Sequence, residues 1–323
     1  MPVITSREGR SAPGSTPVLD RVPRELVHKL AESEVLLTGC RTVAPDTFLV
    51  TARRPADHAF YGPVNGLFDP LFAAESIRQA VPLLSHVAYD VPFGHRQSWD
   101  HYRQTLFPAA LTDGATAADT ELRISCTDVV CRAGRLASLT MRVGLVRDGL
   151  PLGTAELAFH NHPPAVYRRL RGRYADLERA TAQAVPPAPP MTPGEVARRR
   201  SADVVLAATG EPGRSRLRVD LSHPVLFDHP VDHVPGMLLL EAARQAAHRA
   251  AHPEPMVVTG LEADFRRYVE LDAPCWIETT RESSGATGQG ATGQGATGQR
   301  VRVTAVQRDE TLFTSVVTLT PAW

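Results

Sequence analysis

The sequence of 323 residues lacks any long apolar run. A membrane-spanning helix needs about 18 or more consecutive apolar residues, and no such stretch occurs. Residues 1–20 are rich in proline, serine and glycine and have no apolar core of the kind that a secretory signal peptide carries. We therefore expect a cytoplasmic protein that contacts no membrane, with a flexible N-terminal tail over residues 1–20.

Cysteine is scarce as well. The four cysteines are Cys40, Cys126, Cys131 and Cys275, and none of them forms a CxxC pair or stands at metal-ligand spacing from a histidine. The cysteines therefore form no recognisable zinc-binding motif. Four thiols in so long a chain also do not make a disulfide framework. We expect reduced, mostly buried thiols and no metal centre.

Neither sign of charge is in excess, because Lys+Arg and Asp+Glu both number 35. A chain without net charge has no general attraction for nucleic acid or for an anionic membrane, so we expect neither as a partner. Lys29 is the sole lysine and lies in an early segment that we expect to be solvated, so a Schiff-base mechanism has one candidate. Recognition of a phosphate group would fall to arginine, whose planar guanidinium can donate two parallel hydrogen bonds.

The chain contains an internal repeat. Residues 75–80 read Glu-Ser-Ile-Arg-Gln-Ala, and residues 241–246, about half the chain later, read Glu-Ala-Ala-Arg-Gln-Ala. Both copies lie in apolar stretches with helical spacing, and strand-like sequence flanks each of them. The repeat predicts two halves with the same order of elements.

Hydrophobic periodicity gives these elements in outline. In the first half it predicts strands at 34–40, 47–52, 122–130, 136–146 and 153–160 and a helix at 70–89. In the second half it predicts strands at 202–208, 216–221, 256–265, 275–280, 300–307 and 312–319 and a helix at 236–251.

Composition places the domain boundaries. We predict a first domain at 21–181, a semi-rigid proline-rich linker at 182–194 and a second domain at 195–323. Residues 285–299 repeat Gly-Ala-Thr-Gly-Gln three times, which predicts a disordered loop with no catalytic role.

Each copy of the repeat sets a glutamate and an arginine three positions apart, Glu75 with Arg78 and Glu241 with Arg244, on one face of a helix. The simpler interpretation is a surface ion pair. Against it, the neighbouring residues are almost all apolar, so the helix should be buried, and buried charges are costly unless they are paired or used. We take at least one of the two pairs to be functional.

Two histidines, His229 and His233, stand on a turn just before the second helix. Histidine titrates near neutral pH and can serve as a general acid or base, although each of the two can also cap or pack locally. The N–H groups that open the helix, at Gly236 and Met237, are donors that an oxyanion or a thioester carbonyl can accept.

Residues 229–245, read as His-x5-Pro-Gly-Met-Leu-Leu-Leu-Glu-Ala-x-x-Gln, resemble the loop and central helix of hot-dog thioester dehydratases. The whole chain more closely resembles the AfsA family of γ-butyrolactone synthases, the A-factor biosynthesis hot-dog proteins. That resemblance runs through residues 27–29, 34–38, 69–79, 153–155 and 229–245. It implies an α+β tandem double hot-dog fold, in which each half is an antiparallel sheet wrapped around a central helix.

The resemblance also implies the reaction. A β-ketoacyl group, delivered on an acyl carrier protein, is condensed with dihydroxyacetone phosphate to a butenolide phosphate, the precursor of a γ-butyrolactone signal. No separate cofactor is implied, since the phosphopantetheine arm arrives with the acyl carrier substrate. The internal pseudo-dimer is compatible with a monomer, and a homodimer stays open.

We expect one composite site rather than two, because the first half has lost the histidines of the second: an ungapped alignment of the two helices sets Pro63 against His229 and Leu67 against His233. The site would hold Glu75 opposite Arg244 and the histidines. Glu75 is the first choice of base and His229 the alternative, and either Arg78 or Arg244 could bind the phosphate. The predicted catalytic residues are Glu75, Arg244, His229, Glu241 and His233, and the predicted substrate-binding residues are Arg78, Gln79, Gln245, Gly236 and Met237.

Two other functions fit the same fold. One is a thioester dehydratase or thioesterase that uses His229 and an acid, although simple dehydration does not require the arginine after each glutamate. The other is a non-enzymatic acyl or lactone binder, against which the retention of both Glu–Arg pairs argues.

Overall fold

The chain divides into two compact units in the computed structural model, which describes residues 18–55, 58–63, 66–112, 119–282 and 298–322. The first unit comprises Met1–Asp176 together with Asp228–Pro230, and the second comprises Leu177–Phe227 and Val231–Trp323. The predicted linker at 182–194 falls within the second unit, where the Val185 N–H donates to the Leu271 carbonyl at 2.9 Å. The predicted loop at 285–299 lies outside the described residues except for 298 and 299, as does the predicted tail except for 18–20.

The first unit is one antiparallel sheet with one long helix. Its strands pair in the order β1-β2-β3-β5-β6-β7-β4. The elements are β1 (Val18–Leu19), β2 (Leu37–Ala44), β3 (Thr47–Arg53), α1 (Pro70–Val87), β4 (Arg96–Leu106), β5 (Asp119–Arg132), β6 (Arg135–Arg147), β7 (Leu150–His162) and α2 (Pro164–Arg171).

The second unit repeats this plan. Its strands pair in the order β10-β13-β12-β11-β9-β8, again antiparallel, which is the order of the first unit when that sheet is read from β4 towards β2. The elements are α3 (Leu177–Ala182), β8 (Leu206–Ala208), β9 (Arg214–Leu217), α4 (Gly236–Ala251), β10 (Met256–Phe265), β11 (Trp276–Arg281), β12 (Gln299–Gln307) and β13 (Glu310–Pro321). The predicted duplication, with a central helix and an antiparallel sheet in each half, is confirmed.

The central helix of each unit is the most buried element. Helix α1 begins at Pro70, whose missing N–H costs nothing in the first turn, and the Asp69 side chain caps it by accepting from the Leu71 N–H at 2.8 Å. All of its residues are buried except Arg78, His86 and Val87. Helix α4 occupies the predicted range 236–251 and starts after Pro235 without a side-chain cap.

Strand β4 was not predicted. Its sequence is polar, and only at its far end do Tyr102, Gln104 and Leu106 alternate with exposed residues to give a buried face. The predicted strand at 216–221 also differs, because pairing runs over Arg214–Leu217 and stops before a turn in which the Asp220 side chain accepts from the Ser222 N–H at 3.0 Å.

The cysteines are mostly buried, as expected. Cys40, Cys126 and Cys275 are buried free thiols, and Cys131 is half-buried. Within the described ranges, no helix is both long and apolar enough to cross a membrane.

Gly153 in β7 marks a place where two strands approach unusually closely. A Cβ added there would overlap the carbonyl oxygen of Thr105 on β4 and lie 2.9 Å from Leu106 Cδ2. A Cβ added at Gly144 in β6 would meet nothing closer than 3.9 Å, at Arg123 Cβ. Gly153 therefore permits the β4–β7 pairing.

We expect Gly153→Ala to lower the free energy of unfolding by about 1–3 kcal/mol, the usual cost of overpacking, because backbone and not a flexible side chain must move. Gly144→Ala is the matched control and should change it far less. Urea denaturation of the two variants measures the difference, and equal midpoints would contradict the close approach.

Candidate active site

Glu75 on α1 lies at the centre of a buried ionic cluster in the first unit. Its carboxylate accepts two hydrogen bonds from Arg78, at 2.8 and 2.9 Å, and one from Gln79 Nε2 at 2.9 Å. Lys29 Nζ lies 3.1 Å from Glu75 Oε1, with its side chain 5% exposed. The expectation that Lys29 is solvated is wrong, because the buried carboxylate needs its charge.

Burial by itself would raise the pKa of Glu75, but the charges of Arg78 and Lys29 outweigh it and lower the pKa to about 2. Glu75 is therefore ionised at neutral pH, with both oxygens engaged. A carboxylate in this state is a weak proton acceptor and a strong anchor for cations.

Gln79 ties this cluster to the chain that leads into β2. Its amide oxygen accepts from the Leu36 N–H at 2.9 Å, and its amide nitrogen donates to the Glu34 carbonyl at 2.7 Å. Arg78 Nη2 donates to the Val27 carbonyl at 3.2 Å, and the Arg78 side chain is 20% exposed. Arg78 thus reaches from the buried carboxylate towards the surface.

The second unit carries the same network on α4. Arg244 donates twice to Glu241, both at 2.9 Å, and Arg198 Nε donates to Glu241 Oε1 at 2.7 Å, so Arg198 takes the place of Lys29. Gln245 again joins the helix to the chain before the first strand, since it donates to the Asp203 carbonyl at 2.7 Å.

The two clusters differ in access to solvent. In the second, the side chains of Arg198, Arg244 and Glu241 are 4%, 3% and 0% exposed, and the two arginines hold the pKa of Glu241 well below its usual range despite burial. His248 nearby has its pKa lowered to about 3, by burial first and then by Arg244, so it is neutral. This cluster is closed, whereas the first unit's cluster opens through Arg78.

The first unit also adds a histidine where the second has alanine. His28 and Ala197 each follow a 3₁₀ turn and adopt the left-handed conformation, with φ of 55° and 52°. Each precedes the cation of its cluster, Lys29 or Arg198, whose N–H donates back to the start of the turn. The two units therefore have the same backbone conformation at this position, and of the two residues only His28 carries an imidazole.

His28 is paired with His86, the two Nε2 atoms being 2.9 Å apart. His86 Nδ1 lies 2.6 Å from the Val91 carbonyl, which can only accept, so this nitrogen carries a proton. Burial, followed by the charges of His86 and Arg78, lowers the pKa of His28 to about 3. The contact between the two Nε2 atoms makes one ring the donor and the other the acceptor.

His229 belongs to the first unit, although it comes from the second half of the chain. Asp228 accepts from the Leu30 and Ala31 N–H groups at 2.7 and 3.0 Å, directly after Lys29. His229 Nδ1 lies 3.5 Å from Asp228 Oδ2, and its side chain is 34% exposed. Burial and then the charge of Arg78 lower the pKa of His229, so it too is neutral near pH 7.

The remaining predicted residues lie in the second unit. His233 Nδ1 is 2.6 Å from Asp232 Oδ1, and its ring stands edge-on to Tyr268 at 4.7 Å. Gly236 and Met237 form the first turn of α4, as predicted. Each arginine forms its ion pair with the glutamate of its own helix, and the arrangement of Glu75 opposite Arg244 remains a prediction.

Four residues of these clusters were not predicted to belong to them, namely Lys29, Arg198, His28 and His86. Extending the repeat upstream with a gap would have found the first two, since Lys29 and Arg198 precede equivalent strands. Among the described residues, no group of three or more histidine, cysteine or acidic side chains is arranged to hold a metal ion.

Exchanges between the two clusters provide a stability test. Lys29→Arg copies the second unit and should be tolerated, whereas Lys29→Met removes one cation from a buried carboxylate and should lower the free energy of unfolding by about 3 kcal/mol. Urea midpoints measure both variants. A Lys29→Met protein as stable as the parent would show that Arg78 alone suffices to hold Glu75.

A family model described as the A-factor biosynthesis hotdog domain matches residues 11–161 and again residues 180–322. Two relatives bear the name 2-oxo-3-(phosphooxy)propyl 3-oxoalkanoate synthase. The one from Streptomyces virginiae is 44% identical over 298 residues, covering 92% of this chain and 96% of its own. The one from Streptomyces griseus is 36% identical over 301 residues, covering 93% and 96%.

Solved structures of low identity share the fold. A Lactobacillus plantarum protein named as an oleoyl thioesterase has a TM-score of 0.53 at 10% identity and covers 87% of this chain and 98% of its own. An acyl-ACP thioesterase from Bacteroides thetaiotaomicron has a TM-score of 0.50 at 11% identity, with coverages of 84% and 98%. At these identities the likeness is one of fold alone.

Proposed function

Because the chain belongs to the A-factor biosynthesis hotdog family, we propose that it condenses a β-ketoacyl thioester with dihydroxyacetone phosphate. The product is the 2-oxo-3-(phosphooxy)propyl ester of the β-keto acid, and ring closure converts this ester to a butenolide phosphate. The observation that carries the proposal is the 44% identity, over 92% of the chain, to a synthase named for that ester. The acyl donor is an acyl carrier protein, whose phosphopantetheine arm enters as part of the substrate.

The first step is acyl transfer. The free hydroxyl of dihydroxyacetone phosphate loses its proton and attacks the thioester carbonyl, and the carbon–sulfur bond breaks as the thiolate takes up a proton. His229 is our choice of proton acceptor over Glu75, because a neutral imidazole beside Asp228 has a free nitrogen, while both Glu75 oxygens already accept hydrogen bonds. Glu75 instead holds Lys29 and Arg78 in position.

Arg78 is our choice for the phosphate of the acceptor substrate. Its guanidinium is fixed by Glu75 on one side and is partly exposed, so it is preorganised to donate to a phosphate oxygen. Arg244, the equivalent residue, is 3% exposed and bonded within its own cluster. The Gly236 and Met237 N–H groups stay candidates for the oxyanion of the thioester carbonyl.

In ring closure, the methylene between the two carbonyls of the ester loses a proton and its carbon adds to the ketone of the dihydroxyacetone part. Loss of water then gives the butenolide. The step needs a proton acceptor again, and His229, which is neutral and partly exposed, is our choice for this step as well.

The test supplies the purified protein with a β-ketoacyl pantetheine thioester and dihydroxyacetone phosphate, and mass spectrometry follows the ester and the butenolide phosphate. His229→Ala should lower kcat by roughly 10²–10⁴-fold, the usual contribution of a general base. His160→Ala, which removes an imidazole beside Asp100 outside the proposed site, is the matched control. Consumption of the thioester that does not depend on dihydroxyacetone phosphate would favour a thioesterase or dehydratase. No turnover of either substrate would favour a non-enzymatic binder.

A second pair of variants tests the assignment of the phosphate. Arg78→Lys keeps the charge but loses the two-pronged hydrogen bond, and should raise KM for dihydroxyacetone phosphate about tenfold or more. Arg244→Lys makes the same change in the closed cluster and should leave that KM unaltered. If Arg244→Lys raised this KM and Arg78→Lys did not, the phosphate would be assigned to Arg244 instead.

A further inference from the structure

A surface of the first unit combines unpaired positive charge with exposed apolar side chains. We call it the basic face and define it by Phe93, Arg96, Arg168, Arg169 and Leu170. Phe93 and Leu170 are 62% and 60% exposed, and the three arginines are exposed as well. The carrier of the acyl group must dock somewhere on the enzyme, and this face has the chemistry that a carrier protein would meet.

The segments that carry the basic face meet at one end of β4 and β7. Arg96 opens β4 opposite His162, the last residue of β7, and α2 begins two residues later at Pro164. The Arg96 guanidinium stands over the ring of Tyr167, 5.9 Å from its centroid, and Tyr167 is one of the two buried residues of α2. Residues 168–170 continue the helix from Tyr167.

The positive charge of the basic face is uncompensated. Within the described residues, no acidic side chain pairs with Arg96, Arg168 or Arg169. Elsewhere on the same unit exposed arginines do have carboxylate partners, as Arg53 has in Asp119. The nearest acid along β4, Asp100, is occupied by His160 at 2.7 Å.

The basic face is continuous with the candidate active site. The Phe93 ring packs at a tilt against His86, with centroids 4.4 Å apart, and His86 is hydrogen-bonded to His28, the residue before Lys29. The charge of Arg96 contributes to the lowered pKa of His28. A partner seated here would therefore lie beside the histidine pair, where a thioester must arrive.

We propose that the basic face is the docking site of the acyl carrier protein. The inference rests on the proposed function, since it names the surface through which that function's acyl donor is recognised. Carrier proteins present an acidic helix next to the serine that bears the phosphopantetheine arm. Acidic side chains fit Arg168 and Arg169, and apolar residues of the same helix fit Phe93 and Leu170.

Comparing two acyl donors distinguishes an effect on docking from an effect on the reaction. The donors are a β-ketoacyl carrier protein and the same acyl group on free pantetheine. We expect Arg169→Glu to lower kcat/KM for the carrier-bound donor roughly tenfold, and the Arg168→Glu, Arg169→Glu double variant to lower it further. With the pantetheine thioester, kcat/KM of both variants should match that of the parent within about twofold. The reason is that the arginines bind the carrier protein and not its phosphopantetheine arm.

Arg41→Glu is the matched control. Arg41 is exposed on β2, five strands from β4 in the sheet order or about 24 Å at the usual strand spacing, and has no acidic partner in the described part of the chain. It should leave both donors unaffected. Equal losses for both donors in the Arg169 variant, or unchanged kcat/KM for the carrier-bound donor, would overturn the proposal.

Direct binding keeps the docking test independent of turnover. Titration calorimetry of the parent with the acyl carrier protein should give a Kd that rises about tenfold in Arg169→Glu and is unchanged in Arg41→Glu. If neither donor is turned over, the proposed function fails, while this measurement still decides the docking surface. Equal Kd values for all three proteins, or binding of phosphatidylglycerol vesicles in place of the carrier protein, would reject it.

Discussion

Each unit is organised around a carboxylate that is buried in the middle of its central helix. A glutamate without a charge partner would be costly at such a position, so the chain must bring cations to it. One cation comes from the next turn of the helix, Arg78 or Arg244. The other, Lys29 or Arg198, comes from the segment that leads into β2 or β8. The glutamine after the arginine then bonds the backbone of that same segment. The glutamate thus fixes the central helix, the turn upstream and the start of β2 or β8 to one another.

Duplication explains why this network occurs twice, and divergence explains why only one copy is open. The second copy keeps the whole set of ionic contacts but has alanine at residue 197, and its arginines are almost fully buried. The first copy has His28 at that position, His86 beside it and a partly exposed Arg78. The same ionic network is therefore partly exposed in one unit and fully enclosed in the other.

The sequence was most informative where local pattern and burial agree. Helix α4 and strand β10 match their predicted ranges, because their apolar spacing is unbroken, and the Glu-x-x-Arg-Gln repeat identified the centre of both clusters. Strand β4 was missed, since a strand with polar residues over most of its length has no period-two signal. Lys29 was misjudged because the ungapped alignment was anchored on the helices, and a length difference upstream kept Lys29 and Arg198 apart. Burial of a lone lysine depends on a carboxylate far away in the sequence, which no local pattern reveals.

The electrostatics of the first unit bear on the order of substrate binding in the proposed reaction. His28 and His229 are neutral because they are buried and because Arg78 lies near both, so protonation of either ring is opposed before substrate arrives. A phosphate bound to Arg78 would bring negative charge into the same region and relieve that opposition. The histidines would then become better proton acceptors only when the phosphorylated acceptor is present. Under the proposed function, an acyl thioester arriving first would meet a weak base, and binding of dihydroxyacetone phosphate would strengthen it.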